Sequence, residues 1–181
     1  MGYLLGLCAF ALFFLSDLND WRLRQRALKV CFPLGGALLT VGTVLEIRRG
    51  VAPVSGWPRW LCILLAAGFL ALLVYTLFFA LPAEASYGRP GEKRPACTTG
   101  VYALCRHPGV LWFAGLYLCL WAAFGLPLWE AASLSGWNVL LVWFEDRCVF
   151  PAVLKGYGDY QRTTPFLLPN RRSIRACWKG N

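Results

Sequence analysis

"RHPGVLWFAGLYLCLWAAFGLPLWEAASLSGWNVLLVWFED", residues 106–146, decides how this chain folds. Between Pro108 and Phe144 the only charged residue is Glu130, and the turn signal is "FGLP", residues 124–127. Gly125 and Pro127 break the helix there, so two apolar arms fold back on each other. His107 precedes Leu126 by 19 residues and Glu145 follows it by 19. At 1.5 Å of rise per residue each arm is roughly 28 Å long, about one hydrocarbon thickness. The hairpin therefore brings Arg106 and His107, the chain's only histidine, to meet Glu145 and Asp146 at one end.

The meeting point is electrostatically uneven. Pro108 suits a first helical turn, where its missing N–H would have no partner. The amides after it face the same end and attract anions, and Arg106 adds a fork suited to a carboxylate or phosphate. Glu145 and Asp146 close the other arm, where the helix dipole opposes negative charge. That placement asks for a cation: Arg106, Arg147 or a positively charged ligand. The plain alternative is an interfacial histidine beside a solvated ion pair worth about 0–1 kcal/mol.

The rest of the chain has the same character. Of its 181 residues 58% are hydrophobic and 15% charged, against about 25% charged in ordinary soluble domains. Apolar stretches run roughly over 3–15, 30–45, 60–81, 108–126 and 127–144. The third and fourth have the length of a spanning helix and the others are near its short limit. Glu130, near the start of the fifth, is expected in the headgroup layer. The first stretch reads as a retained helix, because no basic residue precedes it and no small-residue cleavage site follows "FFLSDLNDW". The expected fold class is thus an all-α integral membrane protein with about five transmembrane helices. Residues 1–81 would hold three helices, 82–107 a loop, 108–144 the hairpin and 170–181 a basic tail, all in one membrane domain. The 82–100 loop, with three prolines and three glycines, is expected to be neither helix nor strand.

Charge sets the orientation. Segments 17–29, 82–107 and 145–181 carry fifteen of the 18 basic residues, and five crossings put all three on one side. The positive-inside rule makes that side cytoplasmic, with the N-terminus outside and the C-terminus inside. The net charge of +9 then reflects topology and anionic lipid, and no nucleic-acid partner is implied. The eight cysteines lack zinc-type spacing and read as reduced, small apolar residues. Gly35–Gly36 and Gly68 read as helix-packing positions, and the nine tryptophans as interfacial anchors. The segment after Glu145 mixes aromatic, basic and proline residues and is expected along the cytoplasmic interface, its basic end as a lipid-surface contact.

Read together, Thr99–Gly100–Val101–Tyr102, Arg106–His107–Pro108, Glu145–Asp146, Gly156–Tyr157 with Tyr160, and Pro165 with Pro169 resemble the isoprenylcysteine carboxyl methyltransferase and phospholipid methyltransferase superfamily. The resemblance spans residues 98–169. The chain has Val110 and Trp112 where that superfamily often has tyrosine and glycine, and Glu-Asp where Glu-Glu is usual. The resemblance implies a membrane enzyme that uses S-adenosyl-L-methionine, bound at the cytoplasmic end of the last two helices beneath the C-terminal segment. It implies cofactor contacts from Tyr102, Arg106, His107, Pro108, Glu145, Asp146, Tyr157 and Tyr160. Among these Arg106, His107 and Glu145 carry the catalytic expectation. Arg106, His107 and the amides after Pro108 suit the carboxylate, Glu145 the ammonium or ribose, and Tyr157 and Tyr160 the adenine or the sulfonium. The acceptor is then a lipidic or prenylated carboxylate or amine entering from the bilayer, and no metal is needed.

Two other classes stay open on sequence grounds. A membrane reductase of the steroid-reductase type shares a similar hairpin and uses NADPH. A non-catalytic membrane protein of the same fold is the other. Nothing in the sequence sets the oligomeric state. The short chain inclines the setting to a bacterial inner membrane over the endoplasmic reticulum.

Overall fold

The computed structural model describes residues 1–80 and 93–179. The part of the expected loop that holds Arg89 lies outside the described residues. Five long helices match the apolar stretches: α1 (Gly2–Leu18), α2 (Cys31–Ile47), α3 (Trp57–Val74), α5 (Pro108–Phe124) and α6 (Leu128–Phe144). With their flanking turns, three stretches are long and apolar enough to cross a membrane: Gly2–Leu23, Ala27–Ile47 and Trp57–Phe79. Helices α5 and α6 are shorter, at 17 residues each. Between and after them lie α4 (Val101–Leu104), α7 (Phe150–Val153), α8 (Tyr157–Thr163) and α9 (Arg171–Lys179).

Helix α1 packs along α2 and also meets α6, α3 packs along α5, and α5 and α6 form the expected hairpin. Pro58 and Pro108 occupy first turns, where proline costs no hydrogen bond. The hairpin turns on Gly125, whose φ of 75° lies in the left-handed region. A Cβ there would run into the backbone of Val51, so glycine is needed for both conformation and space. Phe10, Phe113, Tyr117, Leu120, Leu126 and Leu134 fill the core. Its polar atoms are paired: the hydroxyls of Thr43 and Tyr117 lie 2.6 Å apart, as do those of Tyr3 and Ser133. Outside, α3 leaves Leu61, Leu64, Leu65 and Leu70 exposed. A helix so apolar on its open face is suited to lipid rather than water.

Three expectations change: the 82–100 loop holds a strand, and Gly36 and Gly68 are not packed. Arg94–Pro95 forms a short strand, β1, paired in parallel with Leu154–Lys155, β2. The loop's polar backbone thus finds partners in the C-terminal segment, which its own prolines and glycines do not reveal. Glu130 is 6% exposed, because α6 begins against α1 and α2, in a niche it shares with Tyr3, Glu46 and Tyr117. Gly35 does lie against Phe13 and the Ala9 backbone, but Gly36 and Gly68 face open space. Close packing falls instead at Gly6 against Leu134, at Gly42 against Gly2, and at Gly115 against the Phe69 ring.

One regularity positions the site. Helices α1, α3 and α6 each run into a π-helical turn, at Asn19–Leu23, Tyr75–Phe79 and Glu145–Val149. All three turns lie at the end that carries His107. Trp21 and Phe14 both meet Phe144. Thr76 accepts from the Trp112 indole at 3.1 Å and from the Tyr102 hydroxyl, through its carbonyl, at 2.9 Å. Isolated π turns interrupt the regular ladder and concentrate at functional sites.

Candidate cofactor and catalytic site

The site begins with Asp146, 3% exposed. Its Oδ1 accepts from Arg106 Nε at 2.7 Å, Tyr157 OH at 2.7 Å and His107 Nε2 at 3.3 Å. Its Oδ2 accepts from Arg106 Nη2 and Gln161 Nε2, both at 3.1 Å. Five donors on one carboxylate tie together the head of α5, the end of α6 and the α8 cap. Burial alone would raise Asp146, but the hydrogen bonds from His107, Arg106 and Tyr157 outweigh it and hold the carboxyl well below the usual range.

Arg106 is committed to the same knot. Besides its fork on Asp146, Nη1 donates to the carbonyls of Gln161 at 3.0 Å and Thr164 at 2.6 Å. Its guanidinium also lies 5.6 Å from the Phe166 ring centroid. Four of its five N–H groups are thereby engaged, so its first task is to hold the cap down. The backbone repeats the tie, since Arg106 and His107 donate their amides to the carbonyls of Pro165 and Phe166. Pro108 is fully buried beneath them.

His107 is clamped between Phe150, stacked at 5.7 Å, and Phe166, edge-on at 5.1 Å. Burial lowers its pKa, and the Arg106 charge adds to that, against the opposing pull of Asp146. The ring is therefore neutral near pH 7. The Asp146 bond assigns the proton to Nε2 and leaves the Nδ1 lone pair facing Glu145 Oε2 at 3.7 Å. Glu145 behaves in the opposite way to Asp146. Burial raises it well above the ordinary carboxyl value, and Asp17, which meets it carboxyl to carboxyl, raises it further. Asp17 Oδ2 is enclosed with no hydrogen-bond partner among the described residues. Two carboxyls in contact hold one proton between them or bind a cation.

Beside this charged line lies a cavity of about 160 Å³, walled by Tyr102, Phe150, Tyr157 and Tyr160 with Arg94, Cys97 and Arg106. Gly156, at φ 75°, turns the chain from β2 into α8. That turn sets Tyr157 and Tyr160 on one inward face, 3% and 5% exposed. The Tyr160 hydroxyl donates to the Tyr102 carbonyl at 2.7 Å. Burial pushes the Tyr102 phenol up to about 12 and raises those of Tyr157 and Tyr160 further. All three are uncharged ring walls with fixed hydroxyls.

The structure thus brings together every residue the sequence singled out, in two groups. Tyr102, Arg106, Tyr157 and Tyr160 border the cavity. His107, Glu145 and Asp146 form the charged line behind Phe150, with Pro108 buried next to them. Sequence reasoning missed Asp17, Gln161, Phe150, Phe166 and Arg94. Asp17 was findable, since an acid in the last turn of an apolar helix is costly and asks for a reason. Gln161 and the two phenylalanines had no signal of their own. No family model matches the chain, and no curated protein or solved structure matches it.

Proposed function

We propose that this chain is an integral membrane methyltransferase that uses S-adenosyl-L-methionine and methylates a lipidic or prenylated carboxylate or amine at the cytoplasmic membrane interface. The reading takes α1, α2, α3, α5 and α6 as five crossings with the N-terminus outside and the C-terminus in the cytoplasm. One observation carries it: the Asp146 knot fastens a C-terminal cap over the His107 end of the hairpin. An aromatic cavity walled in part by Phe150 connects, through the Phe150–His107 stack, to the acid pair of Glu145 and Asp17, which has no cation among the described residues.

The residues present suit such a cofactor. The cavity admits a planar ring between Tyr102, Phe150 and Tyr157, and electron-rich faces favour a sulfonium cation. Glu145 and Asp17 lack a cation of their own among the described residues, and an ammonium would supply one. Arg94 and the remaining N–H of Arg106 suit a carboxylate. When bound, S-adenosylmethionine supplies a methyl carbon that bonds to the acceptor's lone pair as its carbon–sulfur bond breaks and the sulfonium becomes a neutral thioether.

The chain's own part is alignment and exclusion of water. The Asp146 knot fixes Arg106 and Tyr157 to within hydrogen-bond tolerance. The Phe150 and Phe166 rings shield His107 from solvent. A carboxylate acceptor needs no base, whereas an ammonium would pass its proton to the free Nδ1 lone pair of His107. A soluble cofactor reaches this place from the cytosol, and an amphipathic acceptor reaches it sideways from the bilayer.

NADPH suits the same place less well. Its phosphates call for several available cations, and Arg106 is already spent on Asp146. Calorimetric titration of the detergent-purified chain with S-adenosylhomocysteine and, separately, with NADPH tests the reading. Binding of the first alone, lost in Glu145→Gln, is the expected result. Binding of NADPH alone, or of neither to a folded sample, overturns it.

A further inference from the structure

Helix α9 has a composition that neither the fold nor the proposed chemistry uses. It reads RRSIRACWK over Arg171–Lys179 and contains no acidic residue. Its start is firmly built. Ser173 donates its amide to Asn170 Oδ1 at 2.9 Å, and Asn170 returns its amide to Ser173 Oγ at 3.0 Å. This reciprocal cap holds two amides that would otherwise lack partners. Nine residues are too few to hold a helix in water by propensity alone, so the cap and a docking face must do it. The docking face is Ser173, 5% exposed, with the half-buried Ala176 and Cys177, against α4.

The remaining surface is divided in a telling way. Ile174 and Trp178, one turn apart, are 42% and 88% exposed. Arg171, Arg172 and Arg175 are also exposed. At 100° per residue the arginines span an arc that begins where the Ile174–Trp178 edge ends. An indole left open next to three exposed guanidinium groups suits neither water nor a protein core. It suits the headgroup layer, where an aromatic edge enters the acyl boundary and cations meet phosphates. Place agrees with chemistry. Helix α4, on which α9 rests, ends at Leu104, with only three residues between it and the head of α5 at Pro108. Helix α9 therefore rests on the short helix that leads directly into α5.

We propose that α9 is a docking helix for anionic phospholipid, with Ile174 and Trp178 set into the headgroup layer and Arg171, Arg172 and Arg175 on anionic phosphates. The proposal rests on the membrane-spanning part of the functional reading and not on methyl transfer. Its partner is the bilayer in which the chain sits.

The test is hydrogen exchange on the full-length chain in nanodiscs of phosphatidylcholine alone and of phosphatidylcholine with phosphatidylglycerol. Amides of α9 should exchange more slowly in the anionic discs, and added salt should erase the difference. A basic residue near an anionic surface is worth about 1 kcal/mol, so Arg172→Gln and Arg175→Gln should each lose about fivefold of that protection. Arg172→Lys, which keeps the charge, should retain most of it. Equal protection in both lipids would overturn the proposal. So would protection that depends on the number of chains per disc, which would make a second copy the occupant. Slow exchange in α1, α2 and α3 reports separately that the chain has entered the disc. Cofactor titration of the same sample reports separately on methyl transfer.

Discussion

Asp146→Asn puts the central claim about this site at risk. The substitution keeps the shape and removes one charge. The carboxamide would offer one carbonyl oxygen and one NH2 where Asp146 offers two acceptors. In one orientation the NH2 faces Arg106 Nη2 and Gln161 Nε2, both donors now at 3.1 Å. In the other it faces Arg106 Nε and Tyr157 OH, now at 2.7 Å. The Tyr157 hydroxyl can rotate and the His107 ring can change tautomer, but a guanidinium has no acceptor to offer. The Arg106 side chain is only 10% exposed, so solvent cannot take over the lost partner. Removing one member of a buried pair costs about 3–5 kcal/mol. For a chain of this size that is a fall of about 6–20 °C in Tm, at about 2–4 °C per kcal/mol. Thermal unfolding in detergent, followed by tryptophan fluorescence, reads the shift, and limited proteolysis should show the segment after Val149 released first. A variant that melts within about 1 kcal/mol of the parent would refute the reasoning, because an ordinary net hydrogen bond is worth that much. The cap would then be held by contacts other than the Asp146 carboxylate.

Three further outcomes follow. Glu145→Gln should leave Tm unchanged or raise it, since it removes one of two carboxyls in contact, yet weaken S-adenosylhomocysteine by at least about tenfold through loss of the ammonium's partner; calorimetry and unfolding read the two separately. The pH dependence has a definite sign. His107 is held below its ordinary value, so its stabilising contribution is complete above about pH 6.5 and is lost as pH falls through its lowered folded value. Glu145 is held above its ordinary value, so its contribution is present below about pH 4.3 and is lost as pH rises through its raised one. Ligand affinity should therefore rise as pH climbs through the raised Glu145 value and the acid ionises, and Glu145→Gln should flatten that rise in a calorimetric series. Gly125→Ala should destabilise by at least about 1–2 kcal/mol from the left-handed backbone alone, with the overlap on Val51 adding to it, as an unfolding curve will show.

The hairpin was legible because two simple rulers agree on it. Helical rise and a single glycine–proline turn place His107 opposite Glu145 and Asp146, and the contacts at 3.7 and 3.3 Å follow from that count. The roles within the cluster were not legible. The spacing puts two acids at the end of α6, but which one Arg106 takes depends on how the chain rotates past Phe144. Local sequence carries little information about that rotation. The same limit hid Gln161, whose partner is fifteen positions away and reached only after β2 has paired with β1. It also hid the enclosure of Glu130, which shows only once the neighbouring helices are packed around it.

Helical phase divides one acidic pair between two different jobs, and the π turn that follows places the cap. Adjacent residues on an α-helix already point about 100° apart. At Glu145–Val149 the Phe150 amide reaches back to the Glu145 carbonyl, which inserts a residue into the turn. That extra residue shifts everything after it relative to the α6 axis. Asp146 faces Arg106 and the cap, where donors saturate it and keep it ionised. Glu145 faces α1, whose own π turn ends at Leu23, and meets Asp17 rather than a donor. An acid held ionised by its donors and an acid whose pKa is raised, with no cation among the described residues, therefore stand side by side. The pair is divided between fastening the cap and receiving a positive charge beneath it. The inserted residue acts downstream, on Phe150 and the cap, so a change that restores regular winding over 144–150 should turn Phe150 off His107 and cost ligand binding before it costs the fold.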